Sequence, residues 1–87
     1  MNAPYENAYP VGSSVCIVDR PALETFLQTW HFHDPLQPQQ LAFAGRTAQV
    51  AGVGYYHGGT TLYTLKELPG VWHEVCLRTA EPAYNQT

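Results

Sequence analysis

The chain has 87 residues, of which 45% are hydrophobic and 13% are charged, and its formal net charge is −3. This composition argues against intrinsic disorder, and its 4 scattered Lys and Arg residues form neither the basic stripe that binds duplex DNA or RNA nor a polybasic membrane-binding segment. No apolar run approaches the roughly 18 residues of a membrane span, and the first residues lack the basic start and apolar stretch of a signal peptide. We therefore predict a small cytoplasmic protein that binds neither duplex nucleic acid nor membrane.

The first third of the chain predicts one strand and one helix. Residues 1–10 are polar and should form an extended N-terminal arm before a domain at residues 11–78. A β-branched run at residues 15–18 indicates the first strand. Apolar residues then recur at helical spacing, and Pro21 suits a first helical position, so we predict an amphipathic helix over residues 21–31. Its apolar face consists of Leu23, Phe26, Leu27 and Trp30.

A proline-containing loop follows the helix. Within it, Pro38 should open a short helical turn that Gly45 closes in a left-handed conformation. Residues 46–56 then alternate between apolar and polar or small side chains, which is typical of a strand. Gly52 and Gly54 inside that strand mark a bulge or tight bend.

The rest of the chain predicts a meander of short strands. A glycine-rich turn at residues 57–60 leads into a strand at residues 61–65, and a turn at Pro69 and Gly70 leads into a last strand at residues 71–77. Residues 79–87 should form a flexible tail. Four to five short strands close their open edges most easily as a small curved barrel. We predict a mainly β fold, an SH3-like barrel of four to five antiparallel strands with the helix inserted after the first.

Short motifs in this order resemble the C-terminal SH3-like domain of nitrile hydratase β subunits. They are the segment at residues 12–18, the run His33-Asp34-Pro35, and the segments at residues 43–50, 62–65 and 72–77. The resemblance implies the barrel fold and an accessory or activator subunit of a nitrile hydratase-like metalloenzyme. The chain departs from the pattern because Ala48 replaces a usual glycine, His73 stands between Trp72 and Glu74, and the large helical half of those subunits is missing. The Cys-x-x-Cys-Ser-Cys metal motif of the enzyme's α subunit is also absent.

Histidine and cysteine side chains raise the alternative of a small metal-binding protein. Zinc accepts a tetrahedral set of three histidines and one cysteine. The candidate ligands are His31, His33, His73 and Cys76. Side chains three apart on a strand point to opposite faces, which argues against this set. We therefore expect no cofactor, and the alternative is a zinc ion held by these four residues.

The two cysteines are predicted to be buried free thiols, because a reducing cytosol disfavours a disulfide. A nucleophilic pair of Cys16 or Cys76 with His73 or His57 would need an activated thiol, whereas apolar surroundings make a thiol inert. We find no phosphate-binding loop and no paired carboxylates. The chain is therefore predicted not to be an enzyme.

A non-catalytic protein-interaction module is the leading functional hypothesis. Aromatic and imidazole side chains beside the two predicted turns could line a shallow groove for a peptide. These groove candidates are Tyr56, His57, Trp72 and His73. The partner is either another protein or a second copy of this chain, bound through the apolar face of the predicted helix.

Overall fold

Across residues 8–56 and 60–80, which a computed structural model describes, the chain forms five strands, one α-helix and two short 3₁₀ helices. Their order is β1 (Ser14–Ile17), α1 (Arg20–Thr29), a first 3₁₀ helix (Pro38–Phe43), β2 (Thr47–Tyr56), β3 (Thr60–Leu65), β4 (Leu68–His73), a second 3₁₀ helix (Glu74–Cys76) and β5 (Leu77–Thr79). Residues 57–59 of the glycine turn predicted at residues 57–60 lie outside the described residues, and Thr60 is the first residue of β3. Residues 1–7 of the predicted arm and 81–87 of the predicted tail also lie outside them.

The strands form one antiparallel sheet in the order β4-β3-β2-β1-β5. The first strand therefore lies between β2 and the last strand, and β4 and β5 are the two edges. This confirms a mainly β fold with one helix after the first strand. Among the described residues no ladder joins β4 to β5, so the sheet is open there.

Helix α1 begins one residue before the predicted start and ends two residues before the predicted end. Asp19 is its N-cap, because its carboxylate accepts a hydrogen bond from the backbone N–H of Ala22 at 3.1 Å. Pro21 occupies the first turn, where its missing N–H is not needed. At Trp30 the backbone becomes extended, although its N–H still bonds to the carbonyl of Phe26.

The predicted turn and bulge that precede β3 are confirmed. Pro38 opens the first 3₁₀ helix, and Gly45 follows it with a φ of +80°, a conformation that glycine adopts without strain. The pairing of β2 with β3 shifts register between Val50 and Gly52. This bulge lets the long strand β2 bend, so that it pairs with β1 at one end and β3 at the other.

The turn between β3 and β4 lies earlier than predicted. Lys66 and Glu67 form it, because the buried Leu65 and Leu68 pair directly across the hairpin. Glu67 adopts a positive φ of 67° there. Pro69 instead lies within β4, which tolerates a proline because β4 is an edge strand.

The single strand predicted at residues 71–77 is also wrong. The chain leaves β4 after His73, turns through the second 3₁₀ helix and continues as β5 beside β1. This break carries the chain from one edge of the sheet to the other. Thr79, which was predicted in the tail, is the last residue of β5.

The core lies between the sheet, α1 and the loops that follow it. The largest fully buried side chains are Trp72, Tyr63, Ile17, Leu23, Val15, Val50 and Cys76. Tyr9 covers one end of this core, since its ring lies 5.5 Å from that of Tyr63 and its hydroxyl donates to the carbonyl of Leu77. Residues 8–10 of the predicted arm therefore pack on the sheet at Tyr9.

Candidate binding groove and aromatic cluster

An open groove of about 320 Å³ lies on the face of β2, β3 and β4 opposite the core. Its lining is mostly apolar, and none of the lining residues is charged: Gly52, Val53, Gly54, Leu62, Tyr63, Thr64 and Val71. We call this feature the outer groove. An uncharged, apolar surface of this kind accepts apolar side chains rather than an ion or a phosphate.

Strand alternation explains why the groove is there. Gly52 pairs with Thr64 and Gly54 pairs with Leu62, and residues two apart on a strand share a face. The intervening Tyr63 is fully buried and points to the core. Gly54 has no side chain, and no heavy atom lies within 4 Å of where its Cβ atom would stand, so the face is left hollow beside Leu62.

An aromatic cluster lies beyond Gly54 along the same face. Tyr56 is two residues further on β2, and the imidazole of His33 stacks on its ring with centroids 3.6 Å apart and planes inclined by 12°. The ring of Trp30 meets both His33 and His73 edge to face, at 5.3 and 5.1 Å. Phe32 also packs against Trp30, yet its side chain is 69% exposed.

Hydrogen bonds hold the loop that carries His33. The indole Nε1 of Trp30 donates to the carbonyl oxygen of His33 at 2.8 Å. The Nε2 of His73 lies 2.9 Å from the next carbonyl oxygen along the chain, that of Asp34. The carboxylate of Asp34 lies 3.3 Å from Nδ1 of His33. We call residues 31–35 the His33 strap.

The structure places the predicted groove residues at different depths. Tyr56 is 39% exposed and borders the outer groove, whereas Trp72 is fully buried and His73 is 3% exposed. Neither Trp72 nor His73 therefore presents its side chain to a partner. His57 lies outside the described residues.

Most of the predicted apolar face of the helix packs against other parts of the same chain. Leu23 is fully buried in the core, and Phe26 and Leu27 pack against it. The ring of Trp30 lies against Phe26, with centroids 5.7 Å apart. Because these contacts are intramolecular, this face does not present a continuous apolar stripe to a second copy.

Two of the four predicted metal ligands come together. The rings of His33 and His73 lie 5.5 Å apart, while the side chain of His31 is exposed. Among the described residues, no group of three or more His, Cys, Asp and Glu side chains is arranged to hold a metal ion.

Both cysteines are buried free thiols, as predicted. Burial raises the pKa of Cys76 to about 11, against a partial lowering by a backbone hydrogen bond from His73. The Cys76 thiol is therefore neutral near pH 7 and a poor nucleophile. The sequence predicted Cys76 within the last strand, at residues 71–77, but Cys76 lies in the second 3₁₀ helix.

Sequence reasoning missed Leu62, Thr64 and Val71 as candidate site residues. The signal that could have found them is alternation: Leu62 and Val71 each precede an aromatic residue with core character, so they face the other side. The opposing glycines on β2 were recognised only as a bulge or bend.

Comparison with models of known protein families, with curated proteins and with solved structures finds no match for this chain. The resemblance to nitrile hydratase β subunits stays a prediction. In the described part of the chain, no helix is long and apolar enough to cross a membrane.

Proposed function

We propose that this chain is a non-catalytic protein-interaction module that binds an extended apolar segment of a partner protein in the outer groove. The observation that carries the proposal is the open space above Gly54, on an uncharged sheet face lined by Leu62 and Val71. A groove on a sheet suits an extended segment, because alternate side chains of the segment can enter it while the backbone runs along its length.

We further propose that the sheet is SH3-like. The strand order supports this, because β1 lies between β2 and β5 and the bulged strand β2 spans both halves of the sheet. The long first connection carries α1, as the SH3-like interpretation of the sequence requires. The described strand pairings do not join β4 to β5, so closure of the sheet into a barrel is the part that we propose beyond them.

A variant that fills the groove tests the binding site. A Cβ atom added at Gly54 meets no heavy atom within 4 Å. The variant Gly54→Val should therefore fold normally and fill the outer groove beside Leu62. Ala51→Val is the matched control, since Ala51 is exposed on the same strand and does not line the groove. Peptides selected from a random library on the wild-type protein should bind Gly54→Val at least about tenfold more weakly and bind Ala51→Val as well as wild type.

Equal binding to Gly54→Val and to wild type would contradict the proposal. Sedimentation equilibrium distinguishes the two kinds of partner. A wild-type dimer that Gly54→Val converts to a monomer would make the occupant a second copy of the chain. A monomer at all concentrations, together with peptide binding, would make it a different protein.

A further inference from the structure

We propose that the His33 strap is a gate that closes the Tyr56 end of the outer groove. This inference rests on the proposed function, because it concerns access to the same groove. In its closed form the strap covers Tyr56, and in its open form it would let a bound segment continue along β2.

The strap lies on the continuation of the groove. Gly52, Gly54 and Tyr56 share one face of β2, and their pairing with β3 is regular from Gly52 to Tyr56. The ring of His33 stacks directly on Tyr56. Removing the strap would therefore lengthen the groove by about two residues, or roughly 7 Å.

Side-chain donors hold the strap in place. Among the described residues, the strap makes no backbone–backbone hydrogen bond. Its carbonyls at His33 and Asp34 accept instead from Trp30 and His73, at 2.8 and 2.9 Å. Gln37 Nε2 also donates to the carbonyl of Pro35 at 3.2 Å. A segment held by side-chain hydrogen bonds and ring contacts, without a backbone ladder, should open locally without unfolding the sheet.

The backbone of the strap is also strained in the closed form. Asp34 has a φ of +48°, a region that residues other than glycine enter at a cost, although aspartate tolerates it better than most. The closed conformation is therefore imposed by the contacts of the strap and not preferred by its own backbone. Release of these contacts would let Asp34 return to an ordinary conformation.

Removing one donor at a time tests the gate. Trp30→Phe keeps an aromatic ring and deletes the hydrogen bond to the carbonyl of His33. His73→Phe likewise keeps an aromatic ring and deletes the hydrogen bond to the carbonyl of Asp34. Nuclear Overhauser effects between the stacked rings of His33 and Tyr56 should weaken at least about threefold in either variant, while the ladder amides of Val53 and Tyr63 keep their wild-type exchange rates. His31→Phe is the matched control, because it makes the same change from imidazole to phenyl at an exposed side chain that has no hydrogen bond within the described residues.

The groove itself is probed with 8-anilinonaphthalene-1-sulfonate, a fluorophore that brightens on apolar surfaces. Its affinity should rise about threefold in Trp30→Phe and in His73→Phe, and fall when Gly54→Val is added to either. His33–Tyr56 Overhauser effects and dye affinity that both stay at wild-type values in the two variants would overturn the gate.

The failures of the two proposals are distinguishable. If Gly54→Val leaves selected-peptide binding and dye binding unchanged, the proposed function of the groove is wrong, whatever the strap does. If Gly54→Val abolishes both but the donor variants change nothing, only the gate is wrong. If neither donor variant folds, the wild type decides: relaxation dispersion at the ring resonances of His33 and Tyr56 supports the gate, and a flat dispersion profile overturns it.

Discussion

The Nε2 atom of His73 lies 2.9 Å from the backbone carbonyl oxygen of Asp34, although 39 positions separate the two residues in sequence. This bond connects the end of β4 to the loop after α1. The imidazole also packs against Phe26, with ring centroids 4.9 Å apart. His73 therefore links helix, strap and sheet from a nearly buried position.

Replacement of His73 by alanine should destabilise the fold by about 2–3 kcal/mol, because it removes this hydrogen bond and leaves a cavity against Phe26 and Trp30. The midpoint of urea unfolding measures the change. His31→Ala is the control and should shift the free energy of unfolding by less than about 0.5 kcal/mol, since His31 is exposed. Equal effects of the two substitutions would contradict the linking role of His73.

Two neighbouring glycines should respond differently to alanine. A Cβ atom at Gly52 would lie 2.8 Å from Oγ1 of Thr64, whereas one at Gly54 meets nothing within 4 Å. Gly52→Ala should therefore cost about 1–2 kcal/mol, and Gly54→Ala should be neutral or slightly stabilising. Thermal unfolding checks both. The double variant Gly52→Ala with Thr64→Ala should recover most of the loss, and a failure to recover would show that the Oγ1 contact is not its cause.

Stability should fall in alkaline solution. The pKa of Cys76 is raised by burial from 9.0 to about 11, so the folded chain keeps its thiol proton while the unfolded chain loses it. The associated stability is fully present below about pH 9 and is lost as the pH rises towards 11, on the order of 2 kcal/mol. Burial also raises the pKa of Tyr63, with a further rise from the nearby Glu74 carboxylate, and this steepens the loss above pH 10.

Urea unfolding of wild type and Cys76→Ala at pH 8, 9.5 and 10.5 measures this dependence. The variant is expected to be less stable at pH 8 because it loses a core side chain, yet its stability should decline less steeply with pH. Parallel curves for the two proteins would exclude the Cys76 thiol as the cause of the alkaline loss.

Glu67 offers a stabilising substitution. It adopts a φ of 67° in the turn before β4, and asparagine accepts a left-handed conformation more readily than glutamate. Glu67→Asn should raise the free energy of unfolding by up to about 1 kcal/mol, measured by thermal unfolding. Lys66→Asn is the control, because the φ of Lys66 is not positive. A gain in Lys66→Asn that matches the gain in Glu67→Asn would contradict the conformational explanation.

Much of the fold could be predicted from local pattern. The stripe of Leu23, Phe26 and Leu27 predicted α1, and Gly45 and Gly52 predicted a left-handed turn end and a bulge. Each of these features depends on the conformational preferences of a few neighbouring residues, which a sequence displays directly. Asp19 directly follows the predicted first strand and is the N-cap of α1.

The β3–β4 turn shows where local pattern was insufficient. Pro69 and Gly70 are typical turn residues, but burial of Leu65 and Leu68 as a directly opposed pair placed the turn at Lys66 and Glu67 instead. A proline is acceptable in β4 only because β4 is an edge strand, and edge position is a property of the whole sheet.

The sequence by itself determined a small, mainly β chain with few charges and one amphipathic helix, because composition and periodicity depend on residues that are near one another. The tertiary structure alone decided that Gly54 and Leu62 face one groove, that Trp72 is core, and that His73 reaches Asp34. These relationships join residues on separate strands and loops, so strand register and sheet order set them, and neither is encoded in any single segment.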